Sequence, residues 1–194
     1  MAVVDSVANR DDAVLVIIDV QEGLATVMQH RERLLRQTAL LVESAAIVGV
    51  PVLITRQYPK GLGDLCPELE LVLASAQTDS ASIHRVDKLA FDCFGEPEFV
   101  RALELTGRAQ LVIAGMESHI CVCQTALAAL RRSHDVHVVQ DACCSRDERS
   151  SDSAFSRMAR AGAVVTTAES VAYELVGQAG SPEFKRLLAA VKRG

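Results

Sequence analysis

The sequence predicts an α/β domain built on a doubly wound, six-stranded parallel sheet with helices on both faces. Short, strongly apolar runs alternate along the chain with longer segments whose apolar residues recur at helical spacing. Strands that alternate with helices of this length are joined by right-handed crossovers into a parallel sheet. A length of 194 residues suits one such domain with a sizeable core, so we assign residues 1–194 to a single domain.

The first half of the chain supplies three predicted strands and one long helix. Residues 13–19 form a nearly continuous β-branched run, which is typical of a central strand covered on both faces. Residues 31–48 keep helical spacing, and a glycine and a proline directly after them end that helix. The following segments are a second strand at 51–55, a turn-rich loop at 56–64, and a short third strand at 82–86 that runs into Asp87 and Lys88.

The second half of the chain continues the same alternation. Pro97 opens a helix that closes at Gly107, with proline in the first turn and glycine past the end. The later predicted elements are a strand at 110–114, a helix at 122–130, a strand at 136–140 ending at Asp141, a helix at 147–161, a strand at 163–166, a capping box at 166–169, and a last helix with its apolar stripe at Phe184, Leu187, Leu188 and Val191.

Composition excludes several classes of function. The net charge is −5, aromatic residues make up 4% of the chain and tryptophan is absent, so base-stacking platforms and phosphate-binding patches are missing and nucleic acid is not an expected partner. No apolar run approaches the roughly 20 residues of a membrane span, and residues 1–6 lack the basic and apolar pattern of a leader. We therefore expect a soluble cytoplasmic protein without a membrane partner.

The six cysteines are predicted to be thiols. They are Cys66, Cys93, Cys121, Cys123, Cys143 and Cys144. No pair has the C-x-x-C spacing of zinc or redox sites, and the five histidines do not cluster near them at ligand spacing. A disulfide framework is more typical of smaller secreted chains.

Four polar side chains follow directly after predicted strands. Ligands bind beyond the carboxyl ends of parallel strands, so Asp19, the Gln57–Tyr58 loop, Lys88 and Cys121 should face one crevice. Cys121 lies where the chain turns from strand into helix, and the positive end of a helix is expected to lower the pKa of its thiol. Such a set is suited to nucleophilic catalysis: Asp19 accepts the thiol proton, Lys88 favours the thiolate and Cys121 attacks.

These residues lie in segments that resemble a known superfamily. Three motifs occur in the order found in the isochorismatase-like cysteine hydrolases: Asp19-Val20-Gln21, Lys88 within Asp87-Lys88-Leu89-Ala90-Phe91, and Gly115-Met116-Glu117-Ser118-His119-Ile120-Cys121-Val122. Later segments, among them Asp141-Ala142-Cys143-Cys144-Ser145-Arg146, are similar to the isochorismatase domain-containing (YcaC-related) hydrolases. The resemblance covers almost the whole chain.

The resemblance implies a three-layer α/β/α, Rossmann-like fold with strand order 3-2-1-4-5-6 and a catalytic triad of Asp19, Lys88 and Cys121. It also implies a cis peptide bond between Met116 and Glu117, which would turn the N–H of Glu117 inward beside that of Cys121 as an oxyanion hole. The expected reaction is hydrolysis of a small amide through a cysteine thioester. A small-molecule substrate, no cofactor and a homo-oligomer (dimer, tetramer or larger) follow from the same resemblance.

Two departures within the superfamily refine this expectation. The namesake isochorismatases cleave a vinyl ether and lack the nucleophilic cysteine, so Cys121 indicates amide chemistry. Nicotinamidases carry Asp-x-His after the second strand to hold a metal, whereas this chain has Gln57-Tyr58-Pro59, which predicts no metal. Gln21, Gln57, Tyr58 and Phe91 are candidate substrate contacts.

Several alternatives remain open from sequence alone. Asp19 could cap a helix, Lys88 could be a solvated loop charge, and Gln21 could orient Asp19 or cap a turn. The chain could be a catalytically idle member that binds a partner or assembles with itself, a nicotinamidase-type amidase, or a thiol redox protein that pairs Cys121 with Cys123 or Cys143. A Cys121–His119 dyad is disfavoured, because a neighbour two positions before a nucleophile at a helix start usually points elsewhere.

Overall fold

The computed structural model describes residues 7–78 and 82–193. These residues build a six-stranded parallel sheet in the order β3-β2-β1-β4-β5-β6, which confirms the predicted doubly wound fold and its strand order. The strands are β1 (Ala13–Ile18), β2 (Val52–Gln57), β3 (Ile83–Lys88), β4 (Gln110–Met116), β5 (Asp135–Cys144) and β6 (Val164–Thr166).

Helices cover both faces of this sheet. They are α1 (Glu22–Ala25), α2 (Arg31–Val48), α3 (Pro59–Leu62), α4 (Pro67–Thr78), α5 (Pro97–Thr106), α6 (Cys123–Arg131), α7 (Glu148–Arg160), α8 (Ala168–Val176) and α9 (Pro182–Val191). One apolar core lies between the sheet and helices α2, α4 and α8, and a second lies between the sheet and α5, α6 and α7. Helix α9 packs outside the first layer, against α2 and α8.

Strand β1 is the centre of the sheet. All six of its residues are buried, and alternate side chains enter the two cores, because successive residues of a strand point to opposite faces. Its last residue, Ile18, pairs with Thr55 of β2 on one side and with Gly115 of β4 on the other. Strand β1 therefore ends first, and β2 and β4 continue past it to Gln57 and Met116. The strand order reverses between β1 and β4, which is the position where ligands bind in open sheets of this kind.

Four strands, β2 to β5, extend beyond their predicted ends, and β4 does so by reaching Met116. Pairing of Arg56 with Asp87 and of Gln57 with Lys88 extends both β2 and β3, so Gln57 and Lys88 are strand residues. An ion pair of 2.7 Å between Arg56 Nε and Asp87 Oδ1 supports this extension. The predicted strands ended at polar residues, because the sequence alone does not show that polar side chains pair across the strand ends. Strand β5 likewise passes its predicted end at Asp141 and continues to Cys144.

The predicted helices 31–48 and 97–107 closely match α2 and α5, and each is followed by a glycine in the left-handed conformation. Helix α8 is capped by Thr167, whose hydroxyl accepts a hydrogen bond from Ser170 N, one position later than predicted. Helices α3 and α4 have no counterpart in the predicted elements, where 56–64 is a loop. Helix α4 supplies the crossover between β2 and β3.

Within the described part of the chain, no helix is long and apolar enough to cross a membrane. Residues 1–6, where the sequence shows no leader pattern, lie outside the described residues. The cytoplasmic location therefore stays a prediction.

Gly115 allows β4 to pass close to β1. Its φ is +123°, and a Cβ placed on it would lie 2.0 Å from the carbonyl oxygen of Ile18. Gly49, after α2, also has a positive φ, of +75°, but a Cβ there would meet no atom within 4 Å. A comparison of the two glycines therefore separates the effect of a positive φ from the effect of a steric clash.

We expect Gly115→Ala to lower the free energy of unfolding by at least about 2 kcal/mol more than Gly49→Ala, because only the first adds a clash with backbone to the cost of a positive φ. Urea unfolding followed by circular dichroism measures both variants. Equal losses for the two variants would contradict the proposed close approach of β4 to β1.

Candidate active site

Asp19 lies directly after β1 and its side chain is completely buried. The residue has a φ of +55°, a conformation that is unusual outside glycine and is often found at functional sites. Two contacts with Thr55 hold it there: Asp19 N donates to Thr55 O at 3.1 Å, and Thr55 Oγ1 donates to Asp19 Oδ1 at 2.7 Å. One carboxylate oxygen is therefore fixed by the neighbouring strand.

Lys88, the last residue of β3, forms an ion pair with the second oxygen of Asp19. Lys88 Nζ lies 2.7 Å from Asp19 Oδ2, and both side chains are 0% exposed. The ammonium donates its hydrogen bonds to three other acceptors: Gln57 Oε1 at 2.6 Å, Ala90 O at 3.2 Å and Phe91 O at 3.4 Å. Asp19 Oδ2 therefore faces the Lys88 ammonium, and the Asp19 carboxylate is also in hydrogen-bonding contact with the Cys121 thiol.

Two glutamine side chains position the ends of the strands. Gln57 Nε2 donates to Leu89 O at 2.8 Å, so the Gln57 amide joins the end of β2 to the end of β3. Gln21 is fully buried; its amide donates to Gln57 O at 3.0 Å and to Gly63 O at 2.8 Å, and accepts from Gln57 N at 2.7 Å. These bonds hold Gln21 against the end of β2 and the loop at Gly63, and its predicted contact with substrate stays a prediction.

Cys121 completes the group. It lies in a π-helical turn, Ser118–Val122, that joins β4 to α6, and this residue is 5% exposed. Its Sγ is 4.0 Å from Gln57 Oε1, the same atom that accepts a hydrogen bond from Lys88. The peptide bond between Met116 and Glu117 is cis, as the resemblance implies. The structure thus brings together the carboxylate, the ammonium and the thiol that the sequence analysis placed in one crevice.

The protonation state of Cys121 differs from the sequence-based expectation. Burial raises the pKa of the Cys121 thiol above its ordinary value and the Asp19 carboxylate raises it further, while Lys88 opposes this shift only in part. The expected lowering by the start of a helix is therefore wrong, because removal of a thiolate from water and repulsion by Asp19 outweigh the helix. Cys121 is a neutral thiol at neutral pH in the structure.

Lys88 stays charged. Burial alone would lower the pKa of its ammonium, but the Asp19 carboxylate outweighs burial and raises the pKa above its ordinary value. The site at rest holds an ammonium, a carboxylate and a thiol.

Tyr58 and Phe91, two predicted substrate contacts, are about half exposed and lie beside Gln57 and Lys88 in the chain. His119, in contrast, is engaged elsewhere: its Nδ1 lies 2.9 Å from Ser145 Oγ, which argues further against a dyad with Cys121. All six cysteines are free thiols, and Cys123 is buried in the core as expected.

The sequence analysis missed Thr55 and Cys93. Thr55 is a buried strand residue, and no sequence signal distinguishes its hydroxyl from that of any other threonine in a strand. Cys93 is completely buried; its backbone N–H donates to Thr125 Oγ1 at 3.1 Å, and burial raises the pKa of its thiol to about 12. Its electrostatic contact with Lys88 places a second sulfur beside the site.

No group of three His, Cys, Asp or Glu side chains among residues 7–78 and 82–193 is arranged to hold a metal ion. A cavity of about 210 Å³ lies beside the end of β5, lined in part by Arg33, Cys144 and Glu148, and does not include Cys121. The reactive groups, and not the size of a cavity, therefore identify the candidate active site.

Fold and site together define a class: a doubly wound α/β protein that carries a thiol, an ammonium and a carboxylate at the carboxyl ends of its central strands. The family model described as "Isochorismatase domain" matches residues 13–170. The chain belongs to the isochorismatase family.

Individual relatives agree with this assignment. Isochorismatase domain-containing protein 1 of Salmo salar is 35% identical over 175 residues, which cover 90% of this chain and 59% of that protein. The chain thus spans less than two thirds of the length of that relative.

Two solved structures are similar over nearly their whole length. The MAR1 ribonuclease of Caenorhabditis elegans has a TM-score of 0.86 and 31% identity, covering 95% of this chain and 92% of that one. The YcaC gene product of Escherichia coli, described as an octameric hydrolase of unknown specificity, has a TM-score of 0.80 and 27% identity, covering 96% of this chain and 97% of that one.

The effects of Asp19 and Lys88 on the pKa of Cys121 can be tested by substitution. Iodoacetamide reacts with the thiolate, so alkylation of Cys121 should increase with pH through and above the ordinary thiol value of about 8.5. Asp19→Asn removes a charge that raises the pKa and should move the inflection to lower pH. Lys88→Gln removes a charge that lowers the pKa and should move it to higher pH. Peptide mapping by mass spectrometry measures the rate at Cys121, and shifts of the opposite sign would contradict this electrostatic description.

Proposed function

We propose that this protein is a metal-independent cysteine hydrolase that cleaves the C–N bond of a small amide through a thioester on Cys121. The observation that carries the proposal is the buried Asp19 Oδ2, which pairs with Lys88 at 2.7 Å and belongs to a carboxylate that is also in hydrogen-bonding contact with the Cys121 thiol. An oxygen in this state is available to accept the thiol proton. A buried ion pair is weak evidence for stability because both ions must be desolvated, so a chemical role explains it better.

The proposed reaction begins with the neutral thiol. Asp19 Oδ2 takes the thiol proton as Cys121 Sγ forms a bond to the carbonyl carbon of the amide. The carbonyl oxygen gains a negative charge, and the backbone N–H groups of Glu117 and Cys121 are proposed to donate hydrogen bonds to it. When the tetrahedral intermediate collapses, the C–N bond breaks and Asp19 gives its proton to the leaving nitrogen. A primary amide thereby releases ammonia and leaves a thioester.

Water then completes the cycle. Asp19, again a carboxylate, takes a proton from water as the water oxygen attacks the thioester carbon. The C–S bond breaks, Cys121 recovers its proton from Asp19, and the carboxylic acid product leaves. Lys88 keeps the same charge throughout: its three hydrogen bonds fix its position, and its ammonium balances the negative charge that passes between Asp19 and Cys121.

The substrate is proposed to be small. Cys121 is only 5% exposed, so a carbonyl group must enter a narrow opening to reach its sulfur. Tyr58, Phe91 and the amide of Gln57 are the side chains proposed to line that opening. Differences of one methylene in such an opening alter selectivity by about 1–3 kcal/mol, so the choice among small amides depends on these side chains.

The name of the C. elegans relative suggests RNA cleavage as a second candidate reaction. Cations that could bind a phosphate backbone are already engaged near the site: Lys88 is buried against Asp19, and Arg56 pairs with Asp64 at 2.6 Å and with Asp87 at 2.7 Å. The net charge of −5 also opposes RNA binding. We therefore favour the amide reaction over RNA cleavage, and over a catalytically idle role.

A panel of small primary amides, assayed for ammonia release, tests the proposed function. We expect Cys121→Ala to lower kcat/KM by at least about 1000-fold, because the nucleophile is lost. Asp19→Asn should cause a loss of similar size. Cys123→Ala is the matched control, since it removes a buried sulfur two residues along the chain and should keep activity within about two-fold of the wild type.

The same panel includes two further arms. Incubation with a strong chelator should leave ammonia release unchanged; a lasting loss that zinc or manganese restores would contradict the metal-free mechanism. A single-stranded RNA substrate should remain intact. If RNA is cleaved while every amide is left intact, the amidase proposal is wrong.

We also propose that the protein assembles into a homo-oligomer. The octameric state of the E. coli relative supports this proposal. Light scattering coupled to size-exclusion chromatography should give a mass that is a multiple of the 20.9 kDa chain. A mass of one chain at micromolar concentration would contradict the assembly.

A further inference from the structure

Three consecutive side chains just before the nucleophile bind the segment that follows β5. The contacts are Glu117 Oε2 with Arg146 N at 3.1 Å and Arg146 Nε at 3.0 Å, Ser118 Oγ with Ser151 Oγ at 3.3 Å, and His119 Nδ1 with Ser145 Oγ at 2.9 Å. Ser145 and Arg146 end one of the segments similar to the YcaC-related hydrolases, and the proposed reaction gives them no role. The turn that carries Cys121 is thus attached through side chains to the loop after β5 and to the first turn of α7.

The strongest of these contacts is the pair of bonds between Glu117 and Arg146, which we call the clamp. The Glu117 side chain is 6% exposed, whereas that of Arg146 is 60% exposed. A carboxylate with so little access to water depends on protein donors for its hydrogen bonds, and a charged donor such as Arg146 Nε is among the strongest available. The clamp therefore fixes the Glu117 side chain from the solvent side.

The backbone of Glu117 is held by the turn that carries Cys121. Its carbonyl oxygen accepts hydrogen bonds from Ile120 N at 3.1 Å and from Val122 N at 3.3 Å, the two residues on either side of Cys121. Glu117 is thus connected both to the turn of the nucleophile and, through the clamp, to the loop after β5. A change at Arg146 would be transmitted to the Glu117 peptide, whose N–H is one of the proposed donors to the oxyanion.

We propose that Glu117 and Arg146 are positioning residues, and that their clamp holds the Glu117 backbone where it can stabilise the oxyanion formed at Cys121. This inference rests on the proposed amide hydrolysis and adds to it a role for two side chains that do not touch the reacting atoms. Partly exposed ion pairs contribute little to stability, so the clamp serves geometry more than folding. Misplacement of a catalytic group by about 1 Å can lower a rate about 100-fold.

Two reactions at the same sulfur separate positioning of the oxyanion donor from a general disturbance of the site. Amide hydrolysis develops a negative charge on the carbonyl oxygen. Alkylation of Cys121 by iodoacetamide displaces iodide and requires no oxyanion donor. Loss of the clamp should therefore slow hydrolysis and leave alkylation unchanged.

The test uses Arg146→Ala, Arg146→Lys and the control Arg149→Ala. Arg149 is an exposed arginine of α7, three residues beyond Arg146, so its replacement matches the change in charge and composition. We expect Arg146→Ala to lower kcat about 10- to 100-fold, with KM and the rate of Cys121 alkylation within about two-fold of the wild type. Arg146→Lys should recover part of kcat because it keeps a cation near Glu117. Arg149→Ala should match the wild type.

Two results would overturn the clamp proposal. The first is a kcat of Arg146→Ala equal to that of Arg149→Ala. The second is an equal fall in the rates of amide hydrolysis and of Cys121 alkylation, which would indicate a general disturbance of the site. Failure of the proposed function would give a different experimental result. In that case the wild type releases no ammonia from any amide, and the clamp proposal fails together with it. Thermal melting of each variant confirms that folded proteins are compared.

Discussion

The buried ion pair between Asp19 and Lys88 is the constraint on which the rest of the site depends. Neither side chain reaches water, so each charge is tolerated only because the other lies 2.7 Å away. Keeping them together requires β1 to stay in register with β2, and β2 with β3. Thr55, Gln57 and Gln21 make the hydrogen bonds that meet this requirement.

The same pair determines how Cys121 can react. The carboxylate opposes ionisation of the thiol and the ammonium favours it, and with burial added the balance leaves a neutral thiol. In the proposed mechanism a permanently ionised nucleophile is therefore unnecessary. The proton moves to Asp19 only when a carbonyl group is present to take up the electron pair of the sulfur. The positive charge of the adjacent Lys88 lowers the free-energy cost of moving a negative charge inside a site with little water.

Sequence reasoning predicted much of this arrangement, because the signals involved are local. A β-branched run that stops at Asp19 marks the end of a buried strand, and parallel topology then places Asp19, Lys88 and Cys121 at the same edge of the sheet. The direction of the Cys121 pKa shift was not predictable, since it depends on burial and on distances between segments far apart in the chain. Thr55 was missed for the same reason, because its hydroxyl contacts Asp19, which is remote in sequence.

The neutral state of the Cys121 thiol has a consequence for the lifetime of the protein in a cell. Peroxides and other oxidants attack thiolates, and they convert exposed, ionised cysteines to sulfenic and higher acids. A sulfur that is buried and protonated while the site is empty offers these oxidants a poor target. The burial and the negative charge that keep the Cys121 thiol protonated therefore also protect its sulfur from oxidative damage.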